Sequence, residues 1–326
     1  MKVGIVGAGI AGLAAARTLS TANVECTLFE ANSEVGGRCT TESVGDFVFD
    51  SGATSIAPRG RSLATVMFDE LSQVGLVKIE LPIFVHVFGR ISPGEGEKNH
   101  MDRYTYVQGN VRLPKLLAEG MDVRLSQRIE SLEQDSGSYR IQGEHFEALV
   151  LTPPLPQIDP MLQSIGESRP FANARYRPCL SVLLGYAQEI GPLHYHALID
   201  PEQRHPLTWL SIESSKCTGR APEGQCALVA QLSPDYSKNH FEADEATIVE
   251  EAVSHVERLY GPRFCDPAAT HVRRWRYSQP ETTALFDTVN RRGAKIMVAS
   301  DGITGGRIEY SYDAGVRAAK TLLESL

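Results

Sequence analysis

The chain has 326 residues, of which 42% are hydrophobic and 22% charged, and its formal net charge is −8. This length and composition are those of a globular protein with room for one large domain or two intertwined ones, and the negative charge argues against a nucleic-acid groove or an anionic membrane surface. Because no run reaches the roughly 18 apolar residues of a membrane span and the apolar N-terminal stretch ends in a glycine turn, we predict a soluble, cytoplasmic protein without a signal peptide.

The first thirty residues predict a strand, a glycine turn, a helix and a second strand. Residues 2–6 are a short apolar, β-branched run typical of a buried parallel strand, residues 10–19 are helix formers, and residues 24–30 form a second strand that ends in an acid. This is a βαβ unit whose first turn carries the fingerprint G-x-G-x-x-G. The sequence therefore predicts a dinucleotide-binding site.

Each glycine of the fingerprint has a physical task. Gly7 allows the tight turn, Gly9 lets backbone amides approach a pyrophosphate, and Gly12 lets the helix lie close to the sheet. The helix N-terminus, at Ile10 and Ala11, faces the phosphates with its partial positive charge.

The acid that ends the second strand indicates which dinucleotide binds. Glu30, followed by Ala31, is placed to accept hydrogen bonds from ribose hydroxyls. An acid there disfavours a 2′-phosphate, so we do not expect NADP in this slot.

Two further stretches favour FAD over NAD. Gly36-Gly37-Arg38 resembles the second signature of flavoproteins of the amine-oxidase group, in which the glycines form a turn and the arginine reaches the FAD pyrophosphate. The alternative is a hairpin turn with a surface arginine. Asp50-Ser51-Gly52-Ala53 resembles the D-x-G-A segment of the same group, which implies that Gly52 and Ala53 lie close to the flavin ring.

The end of the chain resembles the last flavin signature of this group. Residues 294–300 predict a strand, Asp301-Gly302 follows it, and a helix begins near Arg307 and Ile308. The resemblance implies that Asp301 binds the ribityl chain and that the helix N-terminus faces the flavin pyrimidine. Glu309 follows Arg307 and Ile308 in this signature, and its alternative role is that of a plain helix-capping acid. Residues 122–132 resemble a strand pair that meets adenine through the backbone of Ile129.

The predicted fold class is α/β. It combines a glutathione-reductase-type, FAD-binding Rossmann domain with a second domain built on a mixed or antiparallel sheet. We assign residues 1–60, 101–165 and 276–326 to the FAD-binding domain, and residues 61–100 and 166–275 to the substrate domain. Residues 89–99, rich in glycine and charge, are predicted to be a loop or a mobile edge.

The middle of the chain resembles renalase and its bacterial relatives, and the chain is short for a monoamine or polyamine oxidase. The resemblance covers nearly the whole chain and rests on residues 176–179, on Trp209 with residues 214–220, and on residues 271–280. There are two departures. Cys217 stands where the family usually has proline, and Tyr310 stands where a small residue is common, so its ring reshapes the predicted pocket.

The resemblance implies an FAD-dependent oxidase that takes a hydride from misreduced isomers of dihydro-NAD(P), with dioxygen reoxidising the flavin to give hydrogen peroxide. Recovery of ring aromaticity drives this reaction without a general base, and the sequence assigns no catalytic acid or base. Aromatic walls suit a flat ring, so Trp275, Tyr277 and Tyr310 are predicted to bind substrate, with core packing as the alternative for each.

Other interpretations stay open. An amine oxidase acting on primary or secondary amines would want an aromatic cage and often a lysine near the flavin, and no lysine stands out. Tyr310 and Tyr312 lie two residues apart, so they cannot both face the ring. A flavin desaturase or isomerase, and a non-catalytic flavin-binding protein, are the remaining alternatives.

The cysteines and histidines indicate no metal. The six cysteines lack C-x-x-C and zinc spacing, which favours reduced thiols. None lies near the last flavin motif, so FAD is predicted to bind noncovalently. His194 and His196 are expected to face solvent, and Arg276 to meet either a substrate phosphate or an acid on its strand face.

Overall fold

Two large β-sheets organise the computed structural model, which describes residues 1–87, 89–94, 96–135 and 137–325. The strands in these ranges are β1 (Lys2–Val6), β2 (Glu25–Phe29), β3 (Glu42–Val44), β4 (Phe47–Phe49), β5 (Leu76–Lys78), β6 (Ile83–Val87), β7 (Arg90–Pro93), β8 (Tyr104–Tyr106), β9 (Asp122–Arg124), β10 (Glu133–Asp135), β11 (Ser138–Ile141), β12 (Glu144–Phe146), β13 (Ala148–Leu151), β14 (Arg175–Tyr186), β15 (Ala197–Ile199), β16 (Leu207–Ile212), β17 (Cys226–Leu232), β18 (Ala269–Thr282) and β19 (Ile296–Val298).

The helices connect and cover these strands. They are α1 (Ile10–Thr21), α2 (Arg61–Thr65), α3 (Gly96–Asn99), α4 (Arg112–Leu117), α5 (Leu155–Gln163), α6 (Glu213–Lys216), α7 (Pro234–Asn239), α8 (Glu245–Tyr260), α9 (Phe286–Val289) and α10 (Ile308–Leu323), with a π-helical turn at Val66–Glu70 and 3₁₀ turns at Pro262–Phe264 and Asp301–Ile303. Among the described residues, we find no helix with the length and hydropathy that a bilayer crossing requires.

The first sheet is parallel, with the strand order β19-β13-β1-β2-β9. Its central strand is buried on both faces, as its β-branched composition predicts, and Val3 pairs with Cys26 on one side and Ala148 on the other. Helices α1 and α10 pack together on this sheet. A Cβ at Gly315 of α10 would lie 2.1 Å from the carbonyl oxygen of Ala11, so glycine is required for this close approach.

The second sheet is mixed, with the strand order β18-β14-β17-β16-β15-β6-β7. Only the β15–β6 pair within it is parallel among the described strands. One face packs Leu180, Val182 and their neighbours against α8. On the other face, Leu183 packs against Phe47 and Phe49 of the β3–β4 hairpin. The hairpin therefore joins the mixed sheet to the segment that follows it, residues 50–54.

Residues 89–99 were predicted to be a loop or a mobile edge. The loop is wrong for most of that stretch, and β7 is instead an edge strand of the mixed sheet. β7 pairs antiparallel with β6, and α3 follows it, while Glu95 lies outside the described residues. The predicted domain boundaries stay a prediction. Residues 61–100 include Leu63, Val66 and Met67, which pack in the same hydrophobic core as the parallel sheet.

Candidate cofactor and substrate site

A cleft of about 1370 Å³ runs from the parallel sheet to the mixed sheet. It exceeds the roughly 300–1,000 Å³ of an ordinary small-molecule pocket, so it has room for a dinucleotide and a second ligand. All of the predicted site residues except Gly12 line it. These are Gly7, Gly9, Ile10, Ala11, Glu30, Ala31, Gly37, Arg38, Gly52, Ala53, Ile129, Trp275, Tyr277, Asp301, Arg307, Ile308 and Tyr310.

The turn after β1 has the geometry that its glycines predict. Gly7 has a φ of +95°, in the left-handed region. A Cβ at Gly12 would lie 2.0 Å from the carbonyl oxygen of Gly7, which explains why Gly12 packs under the turn and does not line the cleft. The N-cap of α1 is Gly9, without a side-chain cap, so the first amides of the helix stay available to a ligand.

Glu30 lies beside this turn and is fixed by three hydrogen bonds. One of its carboxylate oxygens accepts from the backbone N–H of Ala8 at 2.8 Å, and the other accepts from the backbone and side chain of Asn32 at 2.9 and 2.8 Å. Oε1 thus accepts two hydrogen bonds and Oε2 accepts one, so Oε2 keeps a lone pair to which a ribose hydroxyl can donate.

The second glycine turn lies directly against the first. Gly36 donates its N–H to the carbonyl oxygen of Ala8 at 3.0 Å, and both Gly36 and Gly37 have positive φ values, +123° and +57°. A Cβ at Gly37 would lie 3.6 Å from the Cα of Gly9. The two turns therefore form a cradle in which side chains would fill the space that a pyrophosphate needs.

Arg38 points into the cleft and is not a surface arginine. Its Nη1 donates to Oδ2 of Asp301 at 2.5 Å and to the carbonyl oxygens of Tyr277 and Ser278 at 3.1 Å each. Burial lowers the pKa of Arg38, but Asp301 more than offsets this and the net pKa is raised. Tyr176 donates to the other oxygen of Asp301 at 2.8 Å. Arg38 of the Gly36-Gly37-Arg38 stretch therefore contacts Asp301 of the C-terminal flavin signature directly.

Helix α10 begins at Ile308, with Arg307 as its N-cap and no side-chain cap. Glu309 does not cap this helix. It is buried, and its Oε1 accepts the backbone N–H of Gly60, the N-cap of α2. The unfilled amides at the start of α10 therefore face the cleft, next to Ile308.

Four fully buried charged side chains fix segment 50–54, and we call them the buried charge network: Asp50, Glu213, Lys216 and Arg220. Oδ2 of Asp50 accepts from Nζ of Lys216 at 2.9 Å and from Nη2 of Arg220 at 2.8 Å. Lys216 also pairs with Glu213 at 2.7 Å. Burial raises the pKa of Asp50, but the charges of Lys216 and Arg220 outweigh burial and hold the pKa below its usual range.

This network was not predicted from the sequence, although residues 214–220 are among the stretches that carry the family resemblance. The available signal was Asp50 in its D-x-G-A context together with a lysine and an arginine four residues apart. Lys216 donates to the carbonyl oxygen of Thr54 at 2.7 Å. Thr54 lines the cleft and Lys216 does not, so the lysine stabilises this wall from the protein interior. Within the described residues, no lysine lines the cleft itself.

Hydrogen bonds from several directions hold the segment that the network supports. Ala53 donates its N–H to the carbonyl oxygen of Arg38 at 3.0 Å, and Trp275 donates its indole N–H to that of Ser51 at 3.0 Å. A Cβ at Gly52 would lie 2.1 Å from the carbonyl oxygen of Arg38. Only glycine fits at this position.

The three predicted aromatic residues all line the cleft. The Trp275 ring packs beside Gly52 with the Arg273 guanidinium 4.6 Å from its centroid, and Tyr277 stands edge-on to Tyr176 at 5.7 Å. Tyr310 is 39% exposed. Its neighbour Tyr312 is buried in the core, so the two tyrosines face different sides as predicted.

Three smaller expectations need correction or refinement. Ile129 lines the cleft, but residues 122–132 are not a strand pair, because β9 ends at Arg124. His194 is exposed, whereas His196 is buried with Nδ1 at 2.5 Å from the carbonyl oxygen of Leu81. Arg276 pairs with Glu242 at 2.5 Å on the strand face.

Comparison with known proteins identifies the family. Residues 94–323 match the family described as flavin containing amine oxidoreductase, and residues 5–71 match the NAD(P)-binding Rossmann-like domain. The chain belongs to the flavin-containing amine oxidoreductases. FAD is therefore its cofactor, and the predictions of an oxidoreductase and of an α/β fold with a Rossmann-like domain are confirmed.

Curated and solved proteins add detail to this membership. A 4,4'-diapophytoene desaturase of Staphylococcus aureus (strain Newman) is 43% identical over 56 residues, which are 17% of this chain and 11% of the desaturase. The solved cyclohexylamine oxidase from Brevibacterium oxydans IH-35A has a TM-score of 0.75 at 14% identity, covering 99% of this chain and 98% of that one.

Two more solved structures share the fold over their whole length. Putrescine oxidase bound to putrescine has a TM-score of 0.75 at 13% identity, with 99% of both chains covered. An oxidoreductase from Methanosarcina mazei has a TM-score of 0.73 at 14% identity, covering 98% of this chain and 100% of that one. At these identities the likeness shows the fold alone.

Proposed function

We propose that this flavoenzyme is a renalase-like oxidase that takes a hydride from misreduced isomers of dihydro-NAD(P), with dioxygen as the final acceptor. The observation that carries the proposal is the composition of the cleft wall. Among the described lining residues, nine arginines stand against five acids, together with three aromatic rings predicted from the sequence. Such a wall suits a flat ring that carries phosphates.

The cradle of the two glycine turns is proposed to hold the FAD pyrophosphate noncovalently. The first amides of α1, at Ile10 and Ala11, would face the phosphates, while Glu30 and Ala31 would meet the ribose. Ile129 would lie at the adenine. The positions of these residues around one cleft support the assignments.

Segment 50–54 and the start of α10 are proposed to hold the flavin end. Gly52 and Ala53 would form the wall beside the flavin ring, Asp301 would meet the ribityl chain, and Arg38, which donates to Asp301, would reach the pyrophosphate. The uncapped amides at Arg307 and Ile308 favour negative charge on the flavin pyrimidine. When bound, FAD supplies the acceptor for the substrate's hydride, and its two electrons then pass to dioxygen to give hydrogen peroxide.

Three of the five acids of the cleft wall are engaged in the fold, which supports chemistry without a general base. Asp200 accepts three backbone N–H groups, Asp301 accepts from Arg38, and Glu309 accepts from Gly60. These carboxylates are occupied by structural hydrogen bonds. A hydride transfer that restores an aromatic nicotinamide needs no proton acceptor on the protein, so Trp275 and Tyr277 have only to orient the ring.

Amine oxidation is the second candidate, favoured by the putrescine and cyclohexylamine oxidases that share this fold. A substrate amine is a cation in water. The arginine-rich wall repels a cation, which is why we place this candidate second.

Anaerobic flavin bleaching tests the proposal directly. The FAD-loaded enzyme is mixed with the isomeric dihydro forms of NAD, with authentic NADH, and with a panel of primary and secondary amines. We expect rapid loss of flavin absorbance with the isomers only, and hydrogen peroxide after air is admitted. Bleaching by amines alone would move the enzyme to the second candidate, and no bleaching by the isomers would overturn the first.

A further inference from the structure

We infer that Gln231 recognises the carboxamide group of the substrate's nicotinamide ring, because its side-chain oxygen is placed to accept an N–H of that group. Gln231 lies on β17 and lines the cleft. The inference rests on the proposed function for the identity of the substrate. The presence of a free hydrogen-bond acceptor at this point of the wall rests on the structure alone.

The position of Gln231 within β17 is unusual for a glutamine. β17 is an interior strand of the mixed sheet, and Gln231 is the one residue in it whose side chain carries an amide or a charge. Its neighbours along the chain, Ala230 and Leu232, are buried, and across the sheet it pairs with Ser181 of β14 and Trp209 of β16. An amide held in such an apolar strand forgoes packing and loses rotamer freedom, so this departure from the local pattern indicates a functional position.

A hydrogen bond to the main chain fixes the orientation of the Gln231 amide. Its Nε2 donates to the carbonyl oxygen of Gly52 at 3.0 Å. Turning the amide over would place Oε1 against that carbonyl oxygen, so this bond assigns the donor and the acceptor branches. Among the described residues, Oε1 accepts no hydrogen bond, and protein atoms do not enclose it. It is therefore a free acceptor that a ligand in the cleft can contact.

This acceptor lies at the segment that is proposed to form the wall beside the flavin ring. The carbonyl oxygens of two consecutive residues there, Ser51 and Gly52, accept from the indole N–H of Trp275 and from Gln231, each at 3.0 Å. A carbon of the Trp275 ring would lie 3.4 Å from a Cβ at Gly52. The ring predicted to bind substrate and the Gln231 amide are thus fixed on adjacent residues of one wall. A nicotinamide held by Trp275 would carry its carboxamide, a substituent at the edge of the ring, towards Gln231.

The chemistry of this acceptor selects among ligand groups. A carboxamide has two N–H donors, and one of them satisfies Oε1 without bringing a charge into the cleft. A carboxylate offers only acceptor oxygens, so two lone pairs would face each other. A neutral amide oxygen also binds an ammonium group less strongly than a carboxylate does. Gln231 therefore favours the amide of a pyridine ring over the corresponding acid.

Two other glutamines of the cleft wall are already engaged. The side-chain oxygens of Gln203 and Gln279 both accept from the guanidinium of Arg177. Among the described glutamines, only Gln231 donates a hydrogen bond to segment 50–54. A hydride donor has to lie beside the flavin, so Gln231 is the glutamine placed to contact the reacting ring of the substrate.

A binding measurement tests this inference without turnover. NAD⁺ and its 3-acetylpyridine analogue, in which a methyl group replaces the amide NH₂, are titrated into the FAD-loaded enzyme by calorimetry. Because the analogue cannot donate to Oε1, we expect the wild type to bind it with a Kd about tenfold above that for NAD⁺. Gln231→Met keeps the length of the side chain but cannot accept this bond, so its two Kd values should be equal. Gln163→Met is the matched control and should keep the tenfold preference, because Gln163 is exposed and lies outside the cleft.

A kinetic arm separates this inference from the proposed function. We expect the ratio of kcat/KM for the dihydro-NAD isomers to that for the isomers of the reduced analogue to fall about tenfold from the wild type to Gln231→Met. A residue that only held the flavin wall would lower both values by the same factor and leave the ratio unchanged. If neither set of isomers is oxidised, the proposed function fails, and calorimetry still decides the role of Gln231.

The wild-type comparison stands even if Gln231→Met retains little FAD. Equal Kd values for the two dinucleotides in the wild type would overturn the inference, as would a tenfold preference that persists in Gln231→Met. Absence of NAD⁺ binding by the wild type would overturn it as well.

Discussion

Replacing Asp50 by asparagine should be among the most destabilising conservative changes in this protein. The four members of the buried charge network are fully buried, and their formal charges sum to zero, with two acids against two bases. Asparagine would leave Lys216 and Arg220 with Glu213 as the one remaining negative partner in the network. Its amide would also place a donor where two cationic donors now point.

The expected magnitude follows from the cost of breaking a buried ion pair from one side, about 3–5 kcal/mol of unfolding free energy. For a chain of this size, each kcal/mol shifts the unfolding midpoint by about 2 °C, so we expect a fall of about 6–10 °C in Tm. FAD affinity should fall as well, because Asp50 begins the segment that forms the flavin wall.

Thermal unfolding followed by circular dichroism and by release of fluorescent FAD measures both effects. Asp46→Asn is the matched control, because Asp46 is exposed in the turn between β3 and β4. The unfolding free energy of this variant should differ from that of the wild type by less than about 0.5 kcal/mol. If the Asp50 variant lost less than about 1 kcal/mol of unfolding free energy, the argument that an unbalanced charge in this network is strongly destabilising would be refuted.

Two further predictions concern packing and pH. Gly52→Ala places a Cβ 2.1 Å from the carbonyl oxygen of Arg38, so we expect it to purify with little FAD by absorbance. Gly45→Ala meets no neighbouring atom, and although its φ of +58° costs some stability, it should keep full cofactor content. Burial lowers the pKa of His196 to about 4, from 6.5. A depressed pKa means that protonation favours the unfolded state, so stability is lost as pH falls from about 6.5 towards 4, by at most about 3 kcal/mol from this group. Denaturant titrations over this pH range should show a smaller loss in His196→Gln than in the wild type and an unchanged loss in His194→Gln, and equal slopes in all three would contradict the assignment.

The sequence predicts the cofactor end of the cleft because its signals are local. A glycine turn with positive φ, or an acid at the end of a strand, is a backbone requirement that a few neighbouring residues reveal. The parallel sheet then brings Glu30, Arg38 and Asp301 to one edge. Arg38 and Asp301 meet at 2.5 Å although 263 residues separate them.

The features that the sequence did not reveal depend on long-range pairing. Asp50 meets Lys216 and Arg220 across 166 and 170 residues, and no periodicity connects them. Residues 90–93 have the polar composition of a loop, but pairing with β6 makes them an edge strand. Tertiary context overrides local preference at both places.

The order of the strands along the chain also determines when the site can exist during synthesis. β19, the edge strand of the parallel sheet, and Asp301, Arg307 and Ile308 are made nearly 300 residues after β1 and the glycine turn. For most of its translation a nascent chain therefore has the cradle of the two glycine turns without Asp301, Arg307 and Ile308, and α1 lacks its packing partner α10. Tight cofactor capture must follow release of these last residues from the ribosome, and the unfilled face of α1 is the surface that the cell has to keep from aggregating until then.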